Sequence, residues 1–301
     1  MTEPLPGVVT KAVGGFFFVH HAGRTYRCVG RGRLRRSGRI VAGDRVWFRP
    51  LSADEGVVEA VEPRKGELVK PAAGDPSRLQ VLAANVDQAC VIFASASPDP
   101  EPQAVDRFLA LTEACGLQPV VCFNKRDLAD PQQLRALYQS VGYPVLWVSA
   151  RTGEGLDRLR EALRGHVSVF VGPSGAGKSS LLNALNPQAR RKVGELGRGG
   201  RGRHTTTVAE LVPVGEDAFV VDTPGVDVLA FVHLDPDAIR RAFPEIRRLA
   251  AACAFPDCAH REEPGCAVRE AAARGEVAPS RFRSYLTLLQ EAEEAWRARY
   301  G

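Results

Sequence analysis

"FVGPSGAGKSSLLNAL", residues 170–185, joins an apolar run to a helical one through a glycine-rich turn. Gly172, Gly177, Lys178 and Ser179 fit the spacing G-x-x-x-x-G-K-S, with Pro173, Ser174, Gly175 and Ala176 between the two glycines. A strand before such a turn and a helix after it mark a phosphate-binding loop. Glycines let backbone N–H groups close around phosphate oxygens, and the helix start at Ser179 and Ser180 adds positive potential. In this arrangement Lys178 reaches the β- and γ-phosphates and Ser179 ligates Mg²⁺. Such a loop usually follows the first strand of its sheet, yet 171 residues precede Gly172 here.

The strands that suit this sheet lie mostly upstream. "QACVIFAS", "QPVVCFNK" and "PVLWVSA" are apolar runs, separated by helical patterns near 101–116, 130–141 and 155–164. Strands alternating with helices predict a mostly parallel α/β sheet covered on both faces. The second run ends in Asn124-Lys125-Arg126-Asp127, which puts a carboxylate at the carboxyl edge of the sheet, where ligands bind. A fixed carboxylate accepts from both N1–H and the 2-amino group of guanine, and adenine offers no such pair of donors. Sites built on hydrogen bonds of this kind can discriminate by about 10⁴ or more. Ser149-Ala150 then supplies a second loop on the base side, and the phosphate loop follows.

Downstream, "VVDTPG" at 220–225 ends an apolar strand in Asp222. Asp222 can hold Mg²⁺ through water, and the Gly225 N–H can meet the γ-phosphate. Between them and the phosphate loop lies "GELGRGGRGRHTTT", 194–207, expected to be mobile without nucleotide. A threonine from Thr205, Thr206 and Thr207 can close on Mg²⁺ and the γ-phosphate in one nucleotide state only. Val226 follows Gly225 and can neither donate nor accept, so His204 is the candidate for orienting the attacking water.

N-K-x-D, S-A, the phosphate loop, the threonine loop and D-T-P-G together resemble the recognition set of translation-factor-like GTPases. Here the base-reading half comes first. The resemblance implies a circularly permuted GTPase domain, its ends moved to another loop of the same sheet. Such rewiring is tolerated where old and new ends lie at exposed loops.

Residues 1–65 read as five short β-branched or aromatic strands, the pattern of a small OB-type barrel. Between the third and fourth lies "GRGRLRRSGR", 30–39, with five arginines, placed to track a nucleic-acid backbone. Residues 63–80 carry Pro, Gly and charge without periodicity and read as a linker. After residue 233 the strands stop. "PDAIRRAFPEIRRLAAAC" and "PSRFRSYLTLLQEAEEAWRARY" have helical spacing, with Ser280 as N-cap of the second. Phe282, Tyr285, Leu286, Leu289 and Trp296 fall on one face, read as core. The expected domains are therefore 1–65, 66–232 and 233–301.

Seven cysteines in one chain argue against a disulfide framework. Cys28, Cys90, Cys115 and Cys122 stand singly in apolar stretches and read as buried. The other three, with one histidine, form "CAFPDCAHREEPGC": Cys253, Cys258, His260 and Cys266. Three thiolates and an imidazole make a closed tetrahedral Zn²⁺ site, and four protein ligands leave no open position, so the metal is structural.

At 45% hydrophobic and 25% charged the composition is that of a globular protein with sizeable cores. No apolar run approaches the eighteen or so residues of a membrane span. The opening "MTEPLPG" lacks the basic-then-apolar pattern of a secretory signal, so a cytoplasmic location is expected, and separately a monomer without membrane contact. Net charge is +5, with 34 Arg against 6 Lys, which suits forked contacts to phosphate.

Barrel, permuted GTPase and Cys₃His helical region together resemble the small ribosomal subunit biogenesis GTPases, the RsgA (YjeQ) family, over essentially the whole chain. "GRHTTT", "DTPG" and "CAFPDCAHREEPGCAV" carry that likeness in combination. It implies GTP and GDP as ligands and the small ribosomal subunit with its rRNA as partner. It also implies hydrolysis stimulated by that subunit, late in its maturation. One departure is Val226-Asp227, where an aromatic-Arg pair would be expected. The rival reading is a nucleotide-gated RNA-binding scaffold whose hydrolysis is incidental. A P-loop kinase fits less well, because the guanine motif is present and no second-substrate base is evident.

Overall fold

Residues 3–32, 34, 40–72, 75–187, 209–215, 217–222 and 235–300 are described in the computed structural model. The chain packs as two units. One is drawn from 1–88, 156–170 and 179–231, the other from 89–155, 171–178 and 232–301.

In the first unit the alternating N-terminal runs form β1 (Leu5–Val13), β2 (Phe16–His21), β3 (Arg24–Gly30), β4 (Arg45–Pro50) and β5 (Glu55–Val61). They close into a barrel in the order β1-β2-β3-β5-β4, with β3 and β5 parallel and β1 sealing against β4. This is the five-stranded order expected of an OB-type barrel. Period-two alternation sends Val9, Val19, Cys28, Val46, Phe48 and Val58 inward, each at most 1% exposed. Most of the basic run 30–39 lies outside the described residues.

The segment expected as a linker is instead a hairpin. β6 (Glu67–Ala72) pairs antiparallel with β7 (Asp75–Ala84), with register shifts at Leu68/Val69 and Pro71/Ala72. Those irregularities break the alternation by which a strand is recognised in sequence. What orders it is tertiary. The Ala84 N–H donates to the Ala42 carbonyl at 2.8 Å, and Asn85 Nδ2 donates to the Gly43 carbonyl at 2.9 Å. Gly43 has φ +92°, and a Cβ there would lie 1.9 Å from the Ala84 oxygen, so only glycine permits this approach. Nearby, fully buried Asp44 takes a forked pair from Arg64 at 2.7 and 2.9 Å. The same unit holds α3 (Leu156–Leu163), β11 (Val167–Val171), α4 (Lys178–Leu185), β12 (Glu210–Pro213) and β13 (Phe219–Asp222). β11 and β13 are parallel, and β12 is antiparallel to β13.

The second unit contains β8 (Gln88–Ala94), β9 (Gln118–Asn124) and β10 (Val145–Trp147), in the order β10-β9-β8 with β9 and β10 parallel. Every residue of β8 is buried, as a strand covered on both faces requires. α1 (Pro102–Ala114) and α2 (Gln132–Val141) are the intervening helices. Cys115, expected inside, is exposed, because it caps the C-terminus of α1 and so falls beyond that helix's packed face.

The C-terminal region is helical: α5 (Pro236–Arg241), α6 (Pro244–Ala250), α7 (Ala267–Ala273) and α8 (Pro279–Tyr300). Phe243-Pro244 divides the first two, since proline cannot continue a helix that precedes it. α8 begins two residues earlier than a Ser280 cap would place it. The Phe282 N–H bonds the Ala278 carbonyl at 3.0 Å, so Pro279 takes the first helical position and Ser280 lies within the first turn. Tyr285 and Leu289 are fully buried and Phe282 and Leu286 pack on the same core, but Trp296 is 48% exposed near the end of the helix. The buried stripe also includes Arg281, only 1% exposed. Its guanidinium forks onto Glu245 at 2.7 and 3.0 Å, donates to Asp106 of α1 at 2.8 Å and lies 4.6 Å from the Phe243 ring centre.

Candidate functional site

The phosphate loop leaves the sheet at Gly172, whose φ of +139° and place against the Ile92 carbonyl, 2.0 Å from any Cβ, admit no side chain. Gly175 and Gly177 also have positive φ, at +80° and +89°. The curl opens into α4, where Ser179 and Ser180 occupy the exposed first turn with backbone N–H groups that have no partner inside the helix. Lys178 bends back so that Nζ donates to the Gly172 and Pro173 carbonyls at 2.6 and 3.0 Å. Its charge therefore stands over the loop, where a polyphosphate would lie.

Asn124, at the end of β9 and 2% exposed, ties the three recognition loops together. Its Nδ2 donates to the Ala176 carbonyl at 3.0 Å, and its Oδ1 accepts from the Ala150 N–H at 3.1 Å. A Cβ on Gly177 would sit 2.3 Å from that Nδ2, so the glycine is needed for this bridge as well as for its φ. Lys125 takes φ +61° and extends Nζ to the Ser97 carbonyl at 2.8 Å.

Asp127 is held on both carboxylate oxygens. Ser149 Oγ donates to one and the Arg151 guanidinium to the other, with Arg151 Nε at 2.8 Å. The Ser149 hydroxyl first, and Arg151 second, hold its carboxyl below the usual carboxylate range. It is thus an ionised acceptor at neutral pH, fixed in direction. Asn124, Asp127, Ser149, Ala150 and the loop Gly172–Lys178 all belong to the second unit. Asp222 ends β13 in the first, where burial and then the facing Glu210 raise its carboxyl above the usual range. His204, Thr205, Thr206, Thr207 and Gly225 lie outside the described residues.

The chain has a second centre at Cys253, Cys258, His260 and Cys266, whose ligand atoms all lie within 4.8 Å of one another. His260 Nδ1 is 3.6 Å from Cys253 Sγ and 3.4 Å from Cys266 Sγ, and the two sulfurs are 4.0 Å apart. A tetrahedron with about 2.3 Å Zn–S bonds has S···S edges of about 3.8 Å, so the donor set fits one zinc ion. Glu263 braces the loop, accepting from the N–H groups of Ala259, Arg261 and Glu262 at 2.8, 2.7 and 3.1 Å. Burial opposes its charge, but these backbone bonds prevail and bring its pKa to about 2. Tyr285 completes the support, its hydroxyl donating to the Ala259 carbonyl at 3.2 Å and its ring 5.8 Å from that of His260. Neither Glu263 nor Tyr285 stands out in sequence, because the first looks like one acid among several and the second like ordinary core.

Residues 61–232 match the sequence profile of the RsgA GTPase family, and residues 6–58 match that of the RsgA N-terminal domain. The chain belongs to the RsgA GTPase family. A curated relative from Moorella thermoacetica, a small ribosomal subunit biogenesis GTPase RsgA, is 39% identical, over 95% of this chain and 97% of its own. Another of that name, from Geobacillus thermodenitrificans, is 40% identical over 96% of this chain and 97% of its own. Two solved structures share the architecture. YloQ, described as a circularly permuted GTPase, aligns with TM-score 0.76 and 29% identity, covering 97% of this chain and 96% of its own. YjeQ from Thermotoga maritima aligns with TM-score 0.75 and 35% identity, covering 96% and 98%. The late phosphate loop is thus explained: the GTPase domain is circularly permuted, with the loops that carry Asn124–Asp127 and Ser149–Ala150 ahead of Gly172 in the chain.

Proposed function

We propose that this protein is a GTP hydrolase acting on the small ribosomal subunit late in its maturation, with turnover raised by that subunit. The observation that carries the reading is the Asn124 bridge, which joins a guanine-reading carboxylate to a phosphate loop in one cradle. In this reading Asp127 reads guanine, with Ser149 and Ala150 lining the base side and Asn124 and Lys125 shaping the floor. The Gly172–Gly177 N–H groups, Lys178 and the start of α4 hold the phosphates, and Ser179 ligates Mg²⁺. Burial and the facing Glu210 raise the Asp222 carboxyl, and a Mg²⁺ held through water would offset both. Thr206, Thr207 and Gly225 close on the γ-phosphate, and His204 orients the water. Zinc is structural. The barrel and its basic loop contact rRNA, and the chain works in the cytoplasm as a monomer divided at about 65 and 232, close to the limits of the two matched profiles.

The deciding measurement is GTP turnover with and without purified small subunits. Large stimulation is expected, whereas tight subunit binding with unchanged turnover would make the protein a nucleotide-gated scaffold. A second expectation concerns the base. Asp127→Asn should weaken GTP binding by about 100-fold or more, since two hydrogen bonds to a charged group are worth about 1.5–3 kcal/mol each. The same variant should accept xanthosine triphosphate, whose 2-oxo group takes the new amide as donor. Unchanged preference in a competition assay would remove Asp127 from this role.

A further inference from the structure

Trp147 ends β10, next to the loops proposed to read the base, and carries two guanidinium groups over its ring. The Arg126 guanidinium lies 4.2 Å from the ring centre and that of Arg135, from α2, lies 4.5 Å away. Both arginines are anchored. Arg126 pairs with Glu154 at 2.7 Å and Arg135 with Asp130 at 2.6 Å. The indole Nε1 donates to the Ala129 carbonyl at 3.2 Å. Arg126, Ala129 and Asp130 all belong to the stretch that carries Asp127, and Glu154 belongs to the loop that carries Ser149 and Arg151.

The backbone repeats this coupling. The Arg126 N–H bonds the Val148 carbonyl at 2.9 Å, and the Ser149 N–H bonds the Glu154 carbonyl at 2.9 Å. Asp127 therefore takes its direction from two loops that the Asn124 bridge, these backbone bonds and the aromatic plate together hold in place. A carboxylate must present both oxygens in the plane of the base to hold N1–H and the 2-amino group together. A small rotation keeps one bond and loses the other, and side chains 1 Å too loose are a common failure of recognition sites.

We infer that Trp147, clamped by Arg126 and Arg135, is a positioning residue for guanine discrimination, setting the angle at which Asp127 meets the 2-amino group. This inference rests on the proposed guanine-reading role of Asp127. Within the stack, Trp147 and Arg135 act on Asp127 through Arg126, Ala129 and Asp130. A cation over an aromatic face at a partly exposed site is worth about 0.5–1 kcal/mol, about two- to fivefold, and the tryptophan carries two.

The test compares GDP with inosine diphosphate, which keeps N1–H and lacks only the 2-amino group, by calorimetry on the full chain. The wild type should prefer GDP clearly; equal affinity would defeat the guanine-reading role of Asp127 and this inference with it. Given that preference, Trp147→Leu should bind GDP about five- to twentyfold more weakly while its affinity for inosine diphosphate changes little, so the ratio contracts. Trp147→Phe, which keeps a π face, should recover most of the ratio. Arg135→Gln removes one of the two guanidinium groups, the one on α2, and should contract the ratio about two- to fivefold. This third variant decides the matter if the leucine protein fails to fold. General loosening of the domain would weaken both nucleotides equally. An unchanged ratio in Trp147→Leu or Arg135→Gln, or a phenylalanine variant no better than leucine, overturns the inference.

Discussion

Cys258→Ser should produce a protein that binds no zinc and whose helices α5–α8 have lost their packing, while the barrel stays folded. A serine hydroxyl remains protonated where a thiolate would bind, so the four-ligand set becomes three and the closed tetrahedron opens. Structural zinc in small peptides contributes about 10–16 kcal/mol at neutral pH, more than most domains hold in total. Apart from the metal, the loop is held by backbone bonds to Glu263, by the Tyr285 hydroxyl on Ala259 and by the exposed Arg261–Glu293 pair, and Phe255 is 46% exposed. Loss of the loop frees Tyr285, which donates to Ala259 and sits at the centre of the helical core. The disturbance then reaches Arg281, whose separation would leave Asp106 and Glu245 as buried carboxylates without a cation, an arrangement that costs about 3–5 kcal/mol. Metal analysis of the wild type should find one zinc per chain. Hydrogen exchange on the variant should show lost protection from about residue 235 onward and unchanged protection in β1–β5. A metal-free variant that is fully folded would contradict the structural role of the ion.

His204→Ala should abolish most subunit-stimulated hydrolysis and leave GTP affinity and subunit binding nearly intact. Many GTPases place a glutamine directly after the glycine of D-x-x-G to orient the attacking water, and here that position is Val226. Another group must do the work. His204 directly precedes three threonines on a glycine- and arginine-rich stretch suited to closing over the γ-phosphate. General-base or water-orienting contributions of this kind are worth about 10²–10⁴ in rate, so stimulated turnover should fall by about 100-fold or more. If the subunit orders this loop, basal turnover is slow in both proteins and the difference emerges only on its addition. Single-turnover measurements with saturating subunits separate the chemical step from binding. Full stimulated turnover in the variant would assign the water to rRNA or to another side chain.

Much of this protein is written in short-range pattern. The phosphate loop, N-K-x-D, S-A and Cys₃His are runs in which chemistry demands particular residues at fixed spacing, so each is visible without a fold. The barrel strands are visible for a similar reason: one face is buried, and period-two alternation follows. Order along the chain is also readable: N-K-x-D and S-A precede Gly172, the order from which the likeness to GTPases implies the permutation.

Other features depend on partners distant in sequence. The stretch 63–80 has no periodicity because its hairpin has register shifts, and it is tied down by Ala42, Gly43 and Asn85 from outside the pattern. Arg281 reads as a solvated residue until α1 and α6 bring Asp106 and Glu245 to it, since an arginine can be buried only where carboxylates meet it. Asn124 looks like one letter of a motif, but its two hydrogen bonds run to loops 26 and 52 residues away. The Arg126–Trp147–Arg135 stack is assembled from a loop, a strand and a helix that no local pattern connects. Residue type and spacing alone point to the groups proposed to act on nucleotide and metal, because reactivity belongs to them. Only the tertiary structure decided what aims those groups, because direction is imposed by neighbours that packing and hydrogen bonding bring from elsewhere in the chain.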